Sequence, residues 1–243
     1  MKKNYDANIK GLRRGYIDVF QEFMIADAEF DGYWEIPIIK DNIYRLPKKL
    51  IAYDQRKRNG IDHANAFIHF YIDDQKFDGP NGIWNGATKK LDHKRGFSIE
   101  SIKEFGGIIG PDFSMGFGFP LSKQLDSVRR TRYFENWMVS LGIQVIPNVR
   151  WTDERSYDFC FLGLPKNGIV SISTLGLLKY KQSKKYFKLG LLELIKRIRP
   201  RTIIIYGIIP NDISRILEDE KIEVIHFASD ISTFRGSDSN GRT

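Results

Sequence analysis

Cysteine is almost missing from this chain: of 243 residues, Cys160 alone carries a thiol. An internal disulfide is thereby excluded, and so is a zinc site built on several cysteines. Long apolar runs are missing as well. No stretch reaches the roughly 18 consecutive apolar residues that a spanning helix needs. The amino-terminal segment MKKNYDANIKGLRRGYIDVF has no apolar run long enough for a secretory leader, so the expected compartment is the cytoplasm. Internal repeats and low-complexity tracts are absent too. Acidic residues are the minority charge, 30 Asp and Glu against 38 Lys and Arg, for a formal net charge of +8. A surplus of that size favours a polyanionic partner, DNA first, although solubility accounts for part of it. No cofactor, no metal, no membrane and no obligate protein partner is expected.

What is present is enough to fold. Hydrophobic residues make up 42% and aromatics 13%, which fits one large domain or a core with an extension. Residues 1–49 read as an amino-terminal extension packing on the core, 50–235 as the α/β domain and 236–243 as a flexible tail. Seven short apolar, β-branched runs lie within the core, at 50–53, 66–72, 107–109, 143–147, 169–173, 202–206 and 223–227. Such runs read as buried strands of a mainly parallel sheet. Apolar residues recur at helical spacing from Leu121 through Leu125, Val128, Phe134, Trp137, Met138 and Leu141, with Gly142 as a stop. A second helix carries Phe187, Leu191, Leu194, Ile195 and Ile198 and ends at Pro200, and a short third starts at Asn211 or Asp212. Residues 74–95, with Gly79, Pro80, Gly82 and Gly86, read as a long loop.

Strands alternating with helices give a doubly wound sheet or a barrel, and in either the ligand site lies beyond the strand carboxyl ends. The polar residues there carry the functional reading. The run Gly110-Pro-Asp-Phe-Ser114 presents Asp112 after a glycine turn, either as a turn or cap residue or as a carboxylate that orients water. At the next strand end, Asn148 offers a donor and an acceptor suited to a base edge, Arg150 a phosphate-pairing group and Trp151 a stacking surface. Asp153, Glu154 and Asp158 follow, and surface pairs with Arg150 and Arg155 explain them equally well. The hydroxyls of Ser171, Ser173 and Thr174 suit capping or phosphate. His226 in the last run is either structural or a donor to a developing anion. Basic residues crowd the two long helices: Arg129, Arg130 and Arg132 on the first, and Lys179, Lys181, Lys184, Lys185 and Lys188 at the start of the second. Lys196, Arg197, Arg199 and Arg201 stand at its end. Read functionally they are phosphate contacts, and read structurally a solvated face.

Two resemblances follow from these motifs. The set Pro111-Asp-Phe-Ser114, Pro147-Asn-Val-Arg-Trp-Thr-Asp-Glu-Arg155, Tyr157-Asp-Phe159 and Ile203-Ile-Ile-Tyr-Gly207 resembles an uncharacterised domain-of-unknown-function family of phages, plasmids and bacterial mobile elements. The likeness covers most of the chain after residue 45. The order of strand ends also resembles, more remotely, the uracil-DNA glycosylase superfamily. There a strand ends in Gly-Gln-Asp-Pro-Tyr, a later one in Asn, and the last pair in Gly and in His-Pro-Ser-Pro. That resemblance implies a three-layer sandwich, with an incomplete β/α barrel as the alternative. It puts Asp112 in the water-positioning role, Asn148 on the flipped base and His226 on the departing base, with Phe113 or Trp151 stacking. Ser114 stands where the superfamily has a tyrosine that blocks substituents at pyrimidine C5. The Gln and Pro of the first motif and both prolines of the last are missing here, and Asp112 lies close to Asn148 in sequence.

The function expected is therefore a DNA glycosylase that hydrolyses the N-glycosidic bond of a flipped, C5-modified pyrimidine, such as a modified cytosine of phage DNA, in a role such as anti-phage defence. Arg150, Arg129, Arg130, Lys184 and Lys185 are the expected DNA-backbone contacts. Three other readings stand beside it. One is a metal-dependent nuclease using Asp112 with Glu154, Asp158 or Asp230, and another a non-enzymatic DNA-binding or replication accessory protein of a mobile element. The third is a barrel hydrolase acting on a nucleotide or sugar.

Overall fold

The computed structural model describes residues 18, 20–88, 97–177 and 180–229. The expected tail at 236–243, Lys179 and Asp230 lie outside them. A short antiparallel hairpin, β1 (Phe30–Asp31) with β2 (Ile36–Pro37), precedes the body. The strands β3 (Lys49–Ala52), β4 (Ala66–His69), β5 (Gly107–Ile109) and β6 (Val145–Ile146) then pair in parallel, in that order. The strands β7 (Ile169–Ser173), β8 (Thr202–Tyr206) and β9 (Glu223–Phe227) form a second parallel set. A parallel bridge between Asn148 and Ser171 joins the two sets. In it the Val149 N–H donates to the Ser171 carbonyl and the Ser171 N–H to the Pro147 carbonyl, each at 2.8 Å. Seven parallel strands thus succeed one another in chain order.

Among the described residues the connections include the α-helices α1 (Glu100–Lys103), α2 (Leu121–Ser140), α3 (Lys181–Ile198) and α4 (Asn211–Asp219), with a long stretch of loop and 3-10 turns between β4 and β5. Pro120 and Pro210 stand just before α2 and α4, where a missing N–H costs nothing. Arg199 closes α3 in the left-handed conformation at φ 49°, with Pro200 forbidding another turn. One outer layer packs Phe134 and Met138 of α2 on Ile68, Phe70, Ile108 and Val145. A second packs Leu191 and Leu194 of α3 and Ile213 and Leu217 of α4 on Val170, Ile172, Ile203 and Ile205.

Strand alternation sends the remaining apolar residues the other way. Phe67, Tyr71, Ile109, Ile146, Ile169, Ile204 and Tyr206 form one inner cluster. Both faces of the strands are therefore apolar, which is why the runs read as continuous rather than alternating. The inner cluster also reports curvature. Tyr71, just beyond β4, stacks on Tyr206 of β8 with ring centroids 5.1 Å apart, and His69 lies 4.6 Å from the same ring. Three strands separate β4 from β8, so in a flat sheet these side chains would stand roughly 19 Å apart. The sheet curls so that its inner face closes on itself. A mainly parallel α/β sheet flanked by helices is thus what the structure has, compatible with a uracil-glycosylase-like sandwich. Its sequential strand order and shared interior are features of the incomplete barrel.

The amino-terminal segment seals one end. Asn42 donates to the Ile143 carbonyl (2.7 Å) and accepts from the Val145 N–H (3.0 Å). The Tyr44 and Arg45 N–H groups both reach Gln144 Oε1, whose amide donates to the Gly106 carbonyl. These bonds cover the amino ends of β5 and β6.

His69 is buried within that interior, and its Nδ1 accepts the Tyr71 N–H at 3.2 Å. Burial pulls its pKa from 6.5 down to about 4. Between those values the unfolded chain takes up a proton that the folded one refuses. Stability is therefore complete above pH 6.5 and should fall by about 3 kcal/mol by pH 4 on this group's account. Urea midpoints measured across that range should show the fall, and His69→Asn, which keeps an acceptor near the Tyr71 N–H, should flatten it.

Candidate functional site

At the open end the structure brings Asp112 and Asn148 together. The chain leaves β5 through Gly110 and Pro111, and Asp112 turns back over the strand ends. Its Oδ1 accepts from Asn148 Nδ2 at 3.0 Å and its Oδ2 from the Arg150 guanidinium at 2.5 Å. The Asp112 side chain is 11% exposed and that of Arg150 23%. Below them the Tyr71 hydroxyl donates to Asn148 Oδ1 (3.0 Å) and shares a 2.8 Å bond with the Ser171 hydroxyl. Burial, and then the charge of Asp112, push the Tyr71 hydroxyl well above its ordinary pKa, so it stays protonated.

Helix α2 fixes this arrangement from outside. Arg132 and Glu135 form a fully buried ion pair at 2.7 Å. Glu135 Oε1 accepts the Asn148 N–H at 2.8 Å, and Arg132 donates to the Asn148 carbonyl at 2.9 Å. Burial raises the Glu135 pKa, with Arg132 and the Asn148 N–H acting against it. Gly110 is required for this contact, because a Cβ there would fall on the Glu135 carboxylate.

Two small cavities meet at Arg150. One, about 10 Å³, is lined by Asp112, Arg150, Trp151, Ser173, Leu177 and Phe187. The other, also about 10 Å³, lies between Phe113, Val128, Arg132, Asn148 and Cys160. Each has room for about one water molecule, whereas a cavity that takes up a benzene ring measures about 150 Å³.

A sequence profile described as a domain of unknown function, DUF4417, matches residues 28–228. The chain belongs to that family. Its members include relatives on phage genomes. The "Gene 1 protein" of Mycobacterium phage L5 is 32% identical over 180 residues, 74% of this chain and 73% of that protein. The "Gene 1 protein" of Mycobacterium phage D29 is 30% identical over 175 residues, covering 72% of this chain and 60% of that protein. No solved structure matches. The DUF4417 match spans the Asp112, Asn148 and Tyr206-Gly207 motifs and accords with the phage-associated family to which they pointed.

Several expected site residues of this DUF4417 member stand elsewhere. His226 is on the edge strand β9, paired with Ile205 of the outer face, and its Nε2 lies 2.6 Å from the Gly207 carbonyl. Alternation turns Ile225 and Phe227 inward and His226 away from Asp112. Phe113 is a core residue, edge-on to Phe77 and covered by the Arg130 guanidinium. Trp151 is buried too, stacked on Phe187 with its indole N–H on the Tyr186 carbonyl. Neither ring is open to a base. Asn148 spends its amide on Pro111, Asp112 and Tyr71, so it positions Asp112 instead of presenting an edge for readout. Ser114 points away from the cavities and bonds Asp74 through both its N–H and its hydroxyl. The expected roomy C5 pocket is not formed there.

The basic residues divide. Arg129 pairs with Asp126 and Arg130 with Asp78, each at 2.7 Å, while both lean on Trp84. Arg132 is inside. In this arrangement the first two are held by carboxylates and the third is buried. Lys184 and Lys185 are exposed on the first turns of α3, beside the cleft residue Phe187. Of the residues considered for a nuclease, Glu154 and Asp158 are exposed and Asp230 lies outside the described residues, among which no group of three or more His, Cys, Asp or Glu could hold a metal. Among the described residues no helix is long and apolar enough to cross a membrane.

Tyr71 and the Arg132–Glu135 pair were not anticipated from sequence as parts of the site. The signal for the pair was two opposite charges, three residues apart, on the helix face that also carries Val128 and Met138. Arg132→Met should leave Glu135 buried without its counter-charge and cost about 3–5 kcal/mol. For a chain of this size that is a fall in Tm on the order of 10 °C, measurable by calorimetry. Adding Glu135→Leu should recover most of it.

Proposed function

We propose that this protein is a DNA glycosylase that hydrolyses the N-glycosidic bond of a nucleotide turned out of its strand. The observation that carries the reading is the Asp112 carboxylate. It lies at the carboxyl end of a parallel strand, held by Asn148 and Arg150, beside a cavity with room for about one water. A carboxylate so held suits orienting a single water toward a sugar carbon that becomes cation-like as its bond to the base lengthens. In the reaction the C1′–N bond breaks, and the base leaves with the bonding pair and takes up a proton from solvent. The water oxygen bonds to C1′, and its spare proton passes to Asp112, which returns it to solvent. No metal takes part in this scheme.

Cavities this small require one movement. Arg150 borders both of them, and its buried Nε has no partner. Drawn off Asp112 by a substrate phosphate, the guanidinium would free the carboxylate and merge the two cavities. Relatives named as phage proteins make phage DNA, including DNA with modified cytosines, the substrate to try first. Hydrolysis within anti-phage defence is one setting for that chemistry.

Incubation with DNA containing unmodified, hydroxymethylated or glucosylated cytosine, followed by mass spectrometry of free bases and alkaline cleavage at abasic sites, tests the reading. Release of at least one base is expected. Asp112→Asn should slow it by at least about 100-fold with Tm within a few degrees of wild type. Absence of release from every DNA, or full activity in Asp112→Asn, rejects the assignment.

A further inference from the structure

The cleft has a lip that the chemistry above does not use. The turn after Met115 carries Phe117, 40% exposed, with its ring stacked on Tyr186 of α3 at 5.0 Å between centroids. Tyr186 adjoins Phe187, which lines the Asp112 cavity. Six residues earlier, at the start of α3, Tyr180 is 61% exposed. Within the same two turns Lys181, Lys184 and Lys185 are exposed and pair with no carboxylate among the described residues. Arg129, Arg130, Arg197 and Arg201, by contrast, each meet an acid. The lip therefore combines outward aromatic faces with uncompensated positive charge at one cleft mouth.

That combination fits one class of partner best. Stacked bases of duplex DNA offer no face to a ring, so exposed aromatics gain nothing from it. An unpaired strand offers both π-faces and phosphates, and base–aromatic stacking contributes about 1–3 kcal/mol per base. An anionic lipid surface shares the charge preference. It calls for a continuous apolar face to insert, however, whereas Phe117 lies flat on Tyr186 and the lysines stand between the rings.

We infer that the Phe117–Tyr180–Tyr186 lip with Lys181, Lys184 and Lys185 is a binding surface for single-stranded nucleic acid, feeding unpaired nucleotides toward Asp112. The feeding role rests on the proposed glycosylase reading; the binding does not. Binding is therefore measured apart from base release, by fluorescence anisotropy of the wild-type chain with a labelled 20-nucleotide DNA, the same sequence as duplex, and vesicles of phosphatidylserine and phosphatidylcholine. The single strand should bind at least tenfold more tightly than the duplex, with no comparable binding to vesicles. Phe117→Ala and Tyr180→Ala should each weaken it by about tenfold, while Phe117→Trp retains it. Lys184→Gln with Lys185→Gln should lower the slope of log affinity against log salt by about 1.4, since each phosphate contact on a single strand contributes about 0.7. Equal affinity for duplex, vesicles bound as tightly as the oligonucleotide, or alanine variants with unchanged affinity and unchanged Tm would each overturn the inference. If binding holds and no base is released, the lip stands and the glycosylase reading fails.

Discussion

The mouth of this molecule depends on one buried ion pair. Arg132 and Glu135 point inward from α2, and between them they hold the carbonyl and the N–H of Asn148. That grip places the Asn148 amide, which in turn fixes one oxygen of Asp112 and receives the Tyr71 hydroxyl. It also sets the height at which Asn148 bridges Ser171, the contact that joins the two parallel sets into one curved sheet. A hydrophobic pair of similar volume would fill the same space, often at no loss of stability. What it would lack is three directed hydrogen-bonding atoms for the backbone of Asn148 and Leu162. Here the pair's use lies in position more than in stability.

Curvature follows from composition in the same way. Central strands buried on both faces cannot leave either face to water, whereas the edge strand β9 is partly exposed, and every helix resting on the clusters described above covers the outer side. The inner side has only itself. Aromatic residues at the carboxyl-end positions, Tyr71 and Tyr206, are large enough to meet across the gap, and small hydroxyl residues at Ser171 and Ser173 leave room for them. The interior is therefore apolar at the amino end, where the Asn42–Arg45 strap closes it. It becomes polar only at the last layer. A polar layer above an apolar plug is what fixes one end of the sheet as the place for chemistry.

This gradient explains what the sequence disclosed. The strand runs were legible because each is a short apolar stretch bounded by turn residues, and all seven recur in the structure. Helices α2 and α3 were legible from spacing and from Gly142 and Pro200. Asp112 and Asn148 were legible as a pair because both follow strands directly, where a residue's side is set by alternation. The failures share a cause as well. Phe113 and Trp151 looked like stacking platforms because composition says nothing of which neighbour covers a ring; Phe77 and Phe187 do so from distant segments. His226 was placed by motif order, yet its side of the strand is decided by the register with β8. Arg129 and Arg130 were counted as free charge, although their partners, Asp126 and Asp78, lie on the same helix and on a loop 52 residues earlier. Net charge is a property of the chain, but available charge is a property of the fold.

A closed cavity at a water-sized volume places a constraint on any chemistry proposed for this end. A site already shaped to a nucleobase would be an unsatisfied hole in the resting protein, with loose side chains or trapped water around Asp112. Instead Arg150 fills it, and the pairing shields the carboxylate. Removing Arg150 from that position costs an ion pair that is only partly screened, so a weakly held or uncharged ligand could not open the site. A polyanion could, because each phosphate reaching the lip offers the guanidinium an equivalent partner. Under the proposed reading the same ion pair acts as cover and as selector: what opens the cleft carries the charge that the lysines of α3 draw there first.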